Sequence, residues 1–219
     1  MTLRLRPILA EALGTAALTA TVIGSGIMAD TLSPDDGVAL LGNTLATAAM
    51  LYLLITTLGP VSGAQFNPVV SLVCLLRHHL TLPLFGAYLL AQIAGGLSGV
   101  ALAHAMFDLP LWQHGLTPRH GPGQWLSEGV ASFGLIATIL AGQSTRGNTA
   151  ALVAAYIAAA YWFTASTSFA NPAVTLARAF TGTFSGIRLA DTPAFALAQI
   201  AGALLAAFLL PWLLERPRQ

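Results

Sequence analysis

Two asparagines, Asn67 and Asn171, each stand directly before a proline, Pro68 and Pro172, inside otherwise apolar stretches. Asn-Pro followed by helix formers reads as a helix start, because Asn caps the first turn and Pro suits the N1 position, where no backbone N–H is needed. Two helix N-termini aimed at one point bring unpaired N–H groups and about half a positive charge each, and the two Asn amides add further donors. A neutral hydroxylated solute can accept those bonds, a cation is repelled, and a file of water is polarised outward, which opposes proton hopping.

Two acids, Glu11 and Glu128, also lie within apolar runs, where a carboxylate is costly and a functional role is the default suspicion. A proton relay needs partners, and neither acid has a Lys or His at helical spacing. Cys74 follows Asn67 by two helical turns and is a candidate pore-facing thiol; the alternative is a small buried hydrophobe. Asn171, Val174 and Arg178 share one helix face, with Arg178 about 6 Å beyond Val174. There it is a candidate for an outer vestibule, hydrated and acting as a long-range attractor of anions. The alternatives for Arg178 are pairing with Asp191 or Asp108, or snorkelling to the outer interface.

The elements that must position these groups are membrane elements. The 219 residues are 56% hydrophobic and 8% charged, with a mean hydropathy of +0.74, too little polar surface for a soluble domain of this size. Apolar runs predict six full spans: Pro7 to Ala29, Gly37 to Leu58, Thr81 to Phe107, Gln124 to Gln143, Asn148 to Phe169 and Thr192 to Leu214. Two stretches, Gly59 to Leu80 and Ala170 to Ala190, are apolar yet broken by Asn-Pro, and they read as re-entrant half-helices. Ala91-Gln92-Ile93-Ala94-Gly95 recurs as Ala198-Gln199-Ile200-Ala201-Gly202, and Glu11 answers Glu128. The chain is thus one channel domain, 1–219, of two repeats, 7–107 and 124–214, each holding three spans and one half-helix. Three is odd, so the second repeat is inverted, and the half-helices meet near the midplane from opposite faces. The predicted fold class is an all-α membrane bundle of six spans plus two re-entrant half-helices.

Six spans place both termini on one side. That side collects Arg4, Arg6, Arg77, Arg146, Arg216 and Arg218 against Glu215, while the other holds Arg119, Arg178 and Arg188, so the termini are expected in the cytoplasm. The net charge of +1 with no basic stripe argues against nucleic-acid binding. One cysteine permits no internal disulfide and no thiolate metal cluster. No metal site and no cofactor is expected.

Ser62-Gly63-Ala64-Gln65-Phe66-Asn67-Pro68-Val69 and Phe169-Ala170-Asn171-Pro172-Ala173-Val174, with Glu11, Glu128 and the repeated pentapeptide, resemble the paired Asn-Pro-Ala signatures of the aquaporin and aquaglyceroporin family. The likeness covers essentially the whole chain. It implies a passive pore, not an enzyme, assembled as a homotetramer with one pore per subunit in the lipid bilayer of the cell's inner membrane. It also implies that Glu11 and Glu128 accept backbone N–H groups of the re-entrant loops, with Gln92 and Gln199 bracing them.

The family's selectivity filter uses an Arg three residues after the second Asn, where this chain has Val174. The other filter positions, carried over by offset, fall on Thr47, Ala159 and Ser168. Four small residues imply a wide opening, so glycerol-like polyols are the natural cargo alongside water. A Val in place of the filter Arg is similar to a bacterial branch associated with arsenic resistance, which implies arsenous acid and methylated arsenicals as solutes. The first motif departs from the family in reading Asn-Pro-Val, and Gln65 stands where the family usually has His. The competing functions are a secondary transporter, which can share inverted repeats and broken helices, and a water-selective pore.

Overall fold

The computed structural model describes residues 5–145 and 147–214, and no strand occurs among them. Eight α-helices follow in order: α1 Leu5–Leu32, α2 Asp36–Ser62, α3 Pro68–Leu76, α4 Leu82–Met106, α5 Pro122–Thr145, α6 Thr149–Phe163, α7 Pro172–Ala177 and α8 Thr192–Leu214. Two 3-10 turns, Arg178–Phe180 and Leu189–Asp191, flank the loop after α7. Of the charges counted toward the expected orientation, Arg4, Arg146, Glu215, Arg216 and Arg218 lie outside the described residues.

Helices α1, α2, α4, α5 and α8 are each long and apolar enough to cross a membrane. The burial pattern is the reverse of a soluble protein's. Leu13, Leu90, Leu126, Leu197, Phe208 and Trp212 are exposed, while Glu11, Thr15, Thr19, Asn43, Gln92, Glu128 and Gln199 are buried. In lipid this is the stable arrangement, since polar groups must find partners inside the bundle and apolar ones have no water to avoid.

Side-chain caps open α2, α3 and α7. Asp35 caps α2 by accepting from Gly37 N at 2.7 Å and Val38 N at 3.2 Å. Asn67 and Asn171 cap α3 and α7, with Pro68 and Pro172 opening the first turns.

The principal packing partners are α1 with α4 and α2 in the first half, α5 with α8 and α6 in the second, and α2 with α6 between them. The pentapeptide glycines permit close backbone approaches between helices. A Cβ on Gly95 would lie 2.2 Å from the Ala12 carbonyl oxygen, and one on Gly202 would lie 2.0 Å from that of Gly129.

One predicted span is shorter than expected. The apolar run Asn148 to Phe169 predicts a full crossing, but α6 has 15 residues, about 22 Å of helix against a hydrocarbon core of about 30 Å. The helix stops because the chain must turn toward the second Asn-Pro: Thr167, Ser168 and Ala170 all have positive φ. The half-helices are also shorter than the stretches that predicted them. Before the first, helix α2 runs on to Ser62, past the expected Leu58. The second is completed by the 3-10 turn Arg178–Phe180.

Candidate functional site: a lumen between two capped half-helices

Half-helices α3 and α7 meet cap to cap. Asn67 Oδ1 accepts from Val69 N at 3.1 Å, and its Nδ2 donates across the junction to the Ala170 carbonyl at 2.7 Å. In the second half Asn171 Oδ1 accepts from Ala173 N at 3.0 Å and Val174 N at 3.2 Å, while Nδ2 donates to the Phe66 carbonyl at 2.8 Å. An Asn amide carries two hydrogens. Each Asn therefore keeps one without a protein acceptor among the described residues.

The loops that deliver these caps are held in costly conformations. Ala64, Phe66 and, in the second loop, Thr167, Ser168 and Ala170 have φ between 48° and 60°, each at a cost of roughly 1–2 kcal/mol for a residue with a Cβ. Buried carboxylates offset this cost. Glu11 Oε1 accepts from Ser62 Oγ at 2.6 Å and Gln65 N at 2.9 Å, and Oε2 accepts from Phe66 N at 2.6 Å and Gln92 Nε2 at 2.8 Å. Glu128 accepts from Phe169 N and Ala170 N, both at 2.9 Å, and from Gln199 Nε2 at 2.5 Å. Hydrogen bonds to a charged acceptor contribute about 1.5–3 kcal/mol each, enough to fix both loops.

Gln92 and Gln199 have a second partner that the sequence reading missed. Each also donates, at 2.9 Å, to a hydroxyl one turn into the half-helix, Ser71 and Thr175. Both hydroxyls stand four residues after the capping Asn, so aligning the two repeats on Asn67 and Asn171 was the available signal.

A cavity of about 150 Å³ runs along the junction, room for a file on the order of ten waters. Each wall presents a stripe at helical spacing: Leu18 and Val22 of α1; Thr47, Leu51 and Ile55 of α2; Leu135, Ile139 and Gln143 of α5; Thr149, Val153, Ile157 and Tyr161 of α6. Asn67, Val70 and Cys74 line it from the first half-helix, and Asn171, Val174 and Arg178 from the second. The polar groups along this largely apolar wall are few. They include the two Asn amides, Gln65, whose Oε1 has no partner among the described residues, and Thr47 beside Tyr161.

Two sequence assignments need correction. Counting back from Asn171 points to Ala159 as a lining residue, but it is exposed on α6, and Tyr161 and Ile157 line the lumen instead. The count crosses residues 164–170, whose left-handed turns do not carry helical phase. The Tyr161 hydroxyl lies 3.4 Å from Thr47 Oγ1, so this end of the lumen is less uniformly small than four short side chains imply.

Arg178, expected to be hydrated in a vestibule, is only 3% exposed. Its Nε donates to the Ser185 carbonyl, and its Cζ lies 3.3 Å from the centroid of the Phe169 ring. The loop after α7 folds back over it, with Ile187 N donating to the Arg178 carbonyl at 3.2 Å. Asp191, one of its expected partners, instead pairs with Arg188 at 3.0 Å and accepts from Arg119 N at 2.8 Å.

Arg119 was not anticipated as part of this region. It reaches in from the α4–α5 connection, donating Nε to the Gly186 carbonyl at 3.0 Å and Nη1 to the Ser166 carbonyl at 3.3 Å, with Cζ 5.0 Å from the same Phe169 ring. Burial lowers its pKa from the usual arginine value, a value high enough that a guanidinium stays cationic. Among the described residues no group of three or more His, Cys, Asp and Glu side chains could hold a metal ion.

Comparison with known proteins places this geometry. The sequence pattern described as "Major intrinsic protein" matches residues 2–158. The chain is 59% identical over 214 residues to the aquaglyceroporin AqpS of Rhizobium meliloti (strain 1021), covering 97% of this chain and 92% of that protein. It is 37% identical over 123 residues to the lens fiber major intrinsic protein of Gallus gallus, 54% of this chain and 45% of that one. Among solved structures, the aquaglyceroporin from Plasmodium falciparum has the same fold, with a TM-score of 0.73, 18% identity and coverage of 96% of this chain and 98% of the other. A multi-pass membrane bundle, two capped half-helices meeting in a lumen and these relatives agree: the chain belongs to the major intrinsic protein family, whose members are passive channels and not enzymes.

Proposed function

We propose that the chain conducts small neutral hydroxylated solutes, glycerol-like polyols together with water, through the lumen between the two capping asparagines. The observation that carries this reading is the pair of Asn amides, each with one uncommitted hydrogen, set in a mostly apolar wall. A polyol has a hydroxyl edge and a CH edge. The donors serve the first and the Leu, Val and Ile stripes the second, so the solute enters without stranding its polar groups.

Thr47, Ser168 and Val174, with Tyr161 completing the ring, form the selectivity region in this reading. Val174 leaves the position three residues after Asn171 uncharged, and the reading therefore extends to arsenous acid and methylated arsenicals as polyol-like cargo. The two halves act as inverted copies, 7–107 and 124–214. The protein works as a homotetramer in the cell's inner membrane with both termini in the cytoplasm.

The test is stopped-flow light scattering on proteoliposomes challenged with water, glycerol, urea, arsenite and methylarsenicals, with no ion gradient or membrane potential. Glycerol entry well above that of empty vesicles is expected. Flux that appears only when an ion gradient is imposed would establish a coupled transporter instead.

A further inference from the structure

The lumen contains a buried cation with no ion-pair partner among the described residues. Arg178 shares its lining with Asn171 and Val174 and is almost fully enclosed. Its Nε is committed to the Ser185 carbonyl and its face to Phe169, yet no hydrogen bond among the described residues uses its two terminal nitrogens. The acids of this half are occupied elsewhere. Glu128 is filled by Phe169 N, Ala170 N and Gln199, and Asp191 forms the one ion pair found among the described residues, with Arg188. A second guanidinium, Arg119, lies against the same ring and adds positive charge, while the Glu128 carboxylate, whose hydrogen-bond donors are all neutral, offsets part of it without pairing with either arginine.

A buried charge without a partner is expensive, and the cost is relieved when a counter-ion arrives. The shape of the opening decides which one. With Nε and the ring face taken, the guanidinium offers the edge formed by its two terminal nitrogens, a planar fork that suits two oxygens of one small anion. Ser168, 2% exposed and among the residues lining the same cavity, has a buried hydroxyl without a partner among the described residues.

We propose that Arg178 is an anion-binding station inside the lumen, taking a small monovalent oxyanion and thereby competing with neutral solutes for passage. This rests on the reading of the lumen as a solute path. Two consequences follow from one residue: monovalent cations meet a fixed positive charge, and flux of neutral solutes becomes sensitive to the anion present. Small size and single charge are required, because the station is almost fully enclosed and a divalent ion loses more hydration there than one fork can replace.

The experiment measures glycerol flux into proteoliposomes of the full chain, with nitrate at equal concentration on both sides. Nitrate replaces a bulky sulfonate buffer anion at constant ionic strength. Nitrate should slow glycerol entry in a dose-dependent, saturable way. In Arg178→Gln the half-effect concentration, read relative to that variant's own nitrate-free flux, should rise roughly tenfold or more, the loss expected for one charge-assisted fork. Arg178→Lys, which keeps the charge without the fork, should fall between.

Glycerol flux no faster than in empty vesicles would remove the channel reading itself. Glycerol flux indifferent to nitrate in the wild type, or equally nitrate-sensitive in Arg178→Gln, would overturn the station and leave the channel intact. If Arg178→Gln does not fold, nitrate protection of Arg178 against phenylglyoxal, read by peptide mass spectrometry on wild-type protein, decides the matter. Unchanged labelling overturns the proposal.

Discussion

Replacing Glu11 by Gln keeps the size and shape of the side chain and exchanges one acceptor oxygen for an NH2 group. Four donors converge on the carboxylate, two at each oxygen. If the new NH2 takes the Oε1 position, the Ser62 hydroxyl can rotate to accept from it, but Gln65 N cannot. If it takes the Oε2 position, Gln92 can turn its amide, whose Oε1 has no partner, but Phe66 N cannot. Either way one backbone N–H is stranded, at about 1–3 kcal/mol, and the remaining bonds lose their charge assistance. The sum is about 3–5 kcal/mol, one stranded N–H plus three weakened bonds. The loop at stake already holds Ala64 and Phe66 at positive φ, so it relaxes when released, and Asn67 loses its aim. Purified Glu11→Gln should melt at lower temperature in detergent, and its glycerol flux per folded channel should fall at least tenfold. Glu128→Gln should behave alike but more mildly, because that carboxylate collects three donors among the described residues. Wild-type melting and flux in Glu11→Gln would refute the argument that carboxylate acceptance holds the re-entrant loop.

Three further outcomes are expected. Val174→Arg places a second guanidinium in the lumen near Arg178, both being lining residues; glycerol flux should drop roughly tenfold more than water flux, a difference of about 1.4 kcal/mol in barrier, and equal losses in stopped-flow assays would show that position 174 does not discriminate by size. Cys74, free and lining the cavity, should make conduction sensitive to mercurials, with Cys74→Ser resistant; block that persists in that variant would place the reactive site elsewhere. Gly202→Ala drives a Cβ to 2.0 Å from the Gly129 carbonyl oxygen, whereas a Cβ on Gly86 meets nothing within 4 Å. Thermal melting should therefore fall markedly for Gly202→Ala, by more than the 1–3 kcal/mol typical of overpacking against movable side chains, and stay level or rise slightly for Gly86→Ala.

The repeated pentapeptide shows why so much of the fold was legible. In each copy the Gln ties a buried carboxylate to a hydroxyl of the half-helix, and the Gly lets the backbone pass the residue after that carboxylate. Five residues thus specify how α4 docks on α1 and α8 on α5, and finding them twice reveals both halves at once. The Asn-Pro pairs were readable for a similar reason, since capping is a local event that needs only the residues adjacent in sequence. Where helical phase runs unbroken from a cap, spacing relates residues along one face: Asn67 and Cys74 line the same cavity, as do Asn171 and Arg178. Ala159 did not carry over because the count passed through a segment of left-handed turns. The spacing from Asn171 says nothing of the medium around Arg178, because its burial depends on Ser185 and on Arg119 from another connection, neither near it in pattern. The distinction is physical. Sequence spacing fixes which side of a helix a residue occupies, but the dielectric around it is set by whichever loop folds over that side, and for a charge in a pore the dielectric decides whether it is a distant attractor or a binding group.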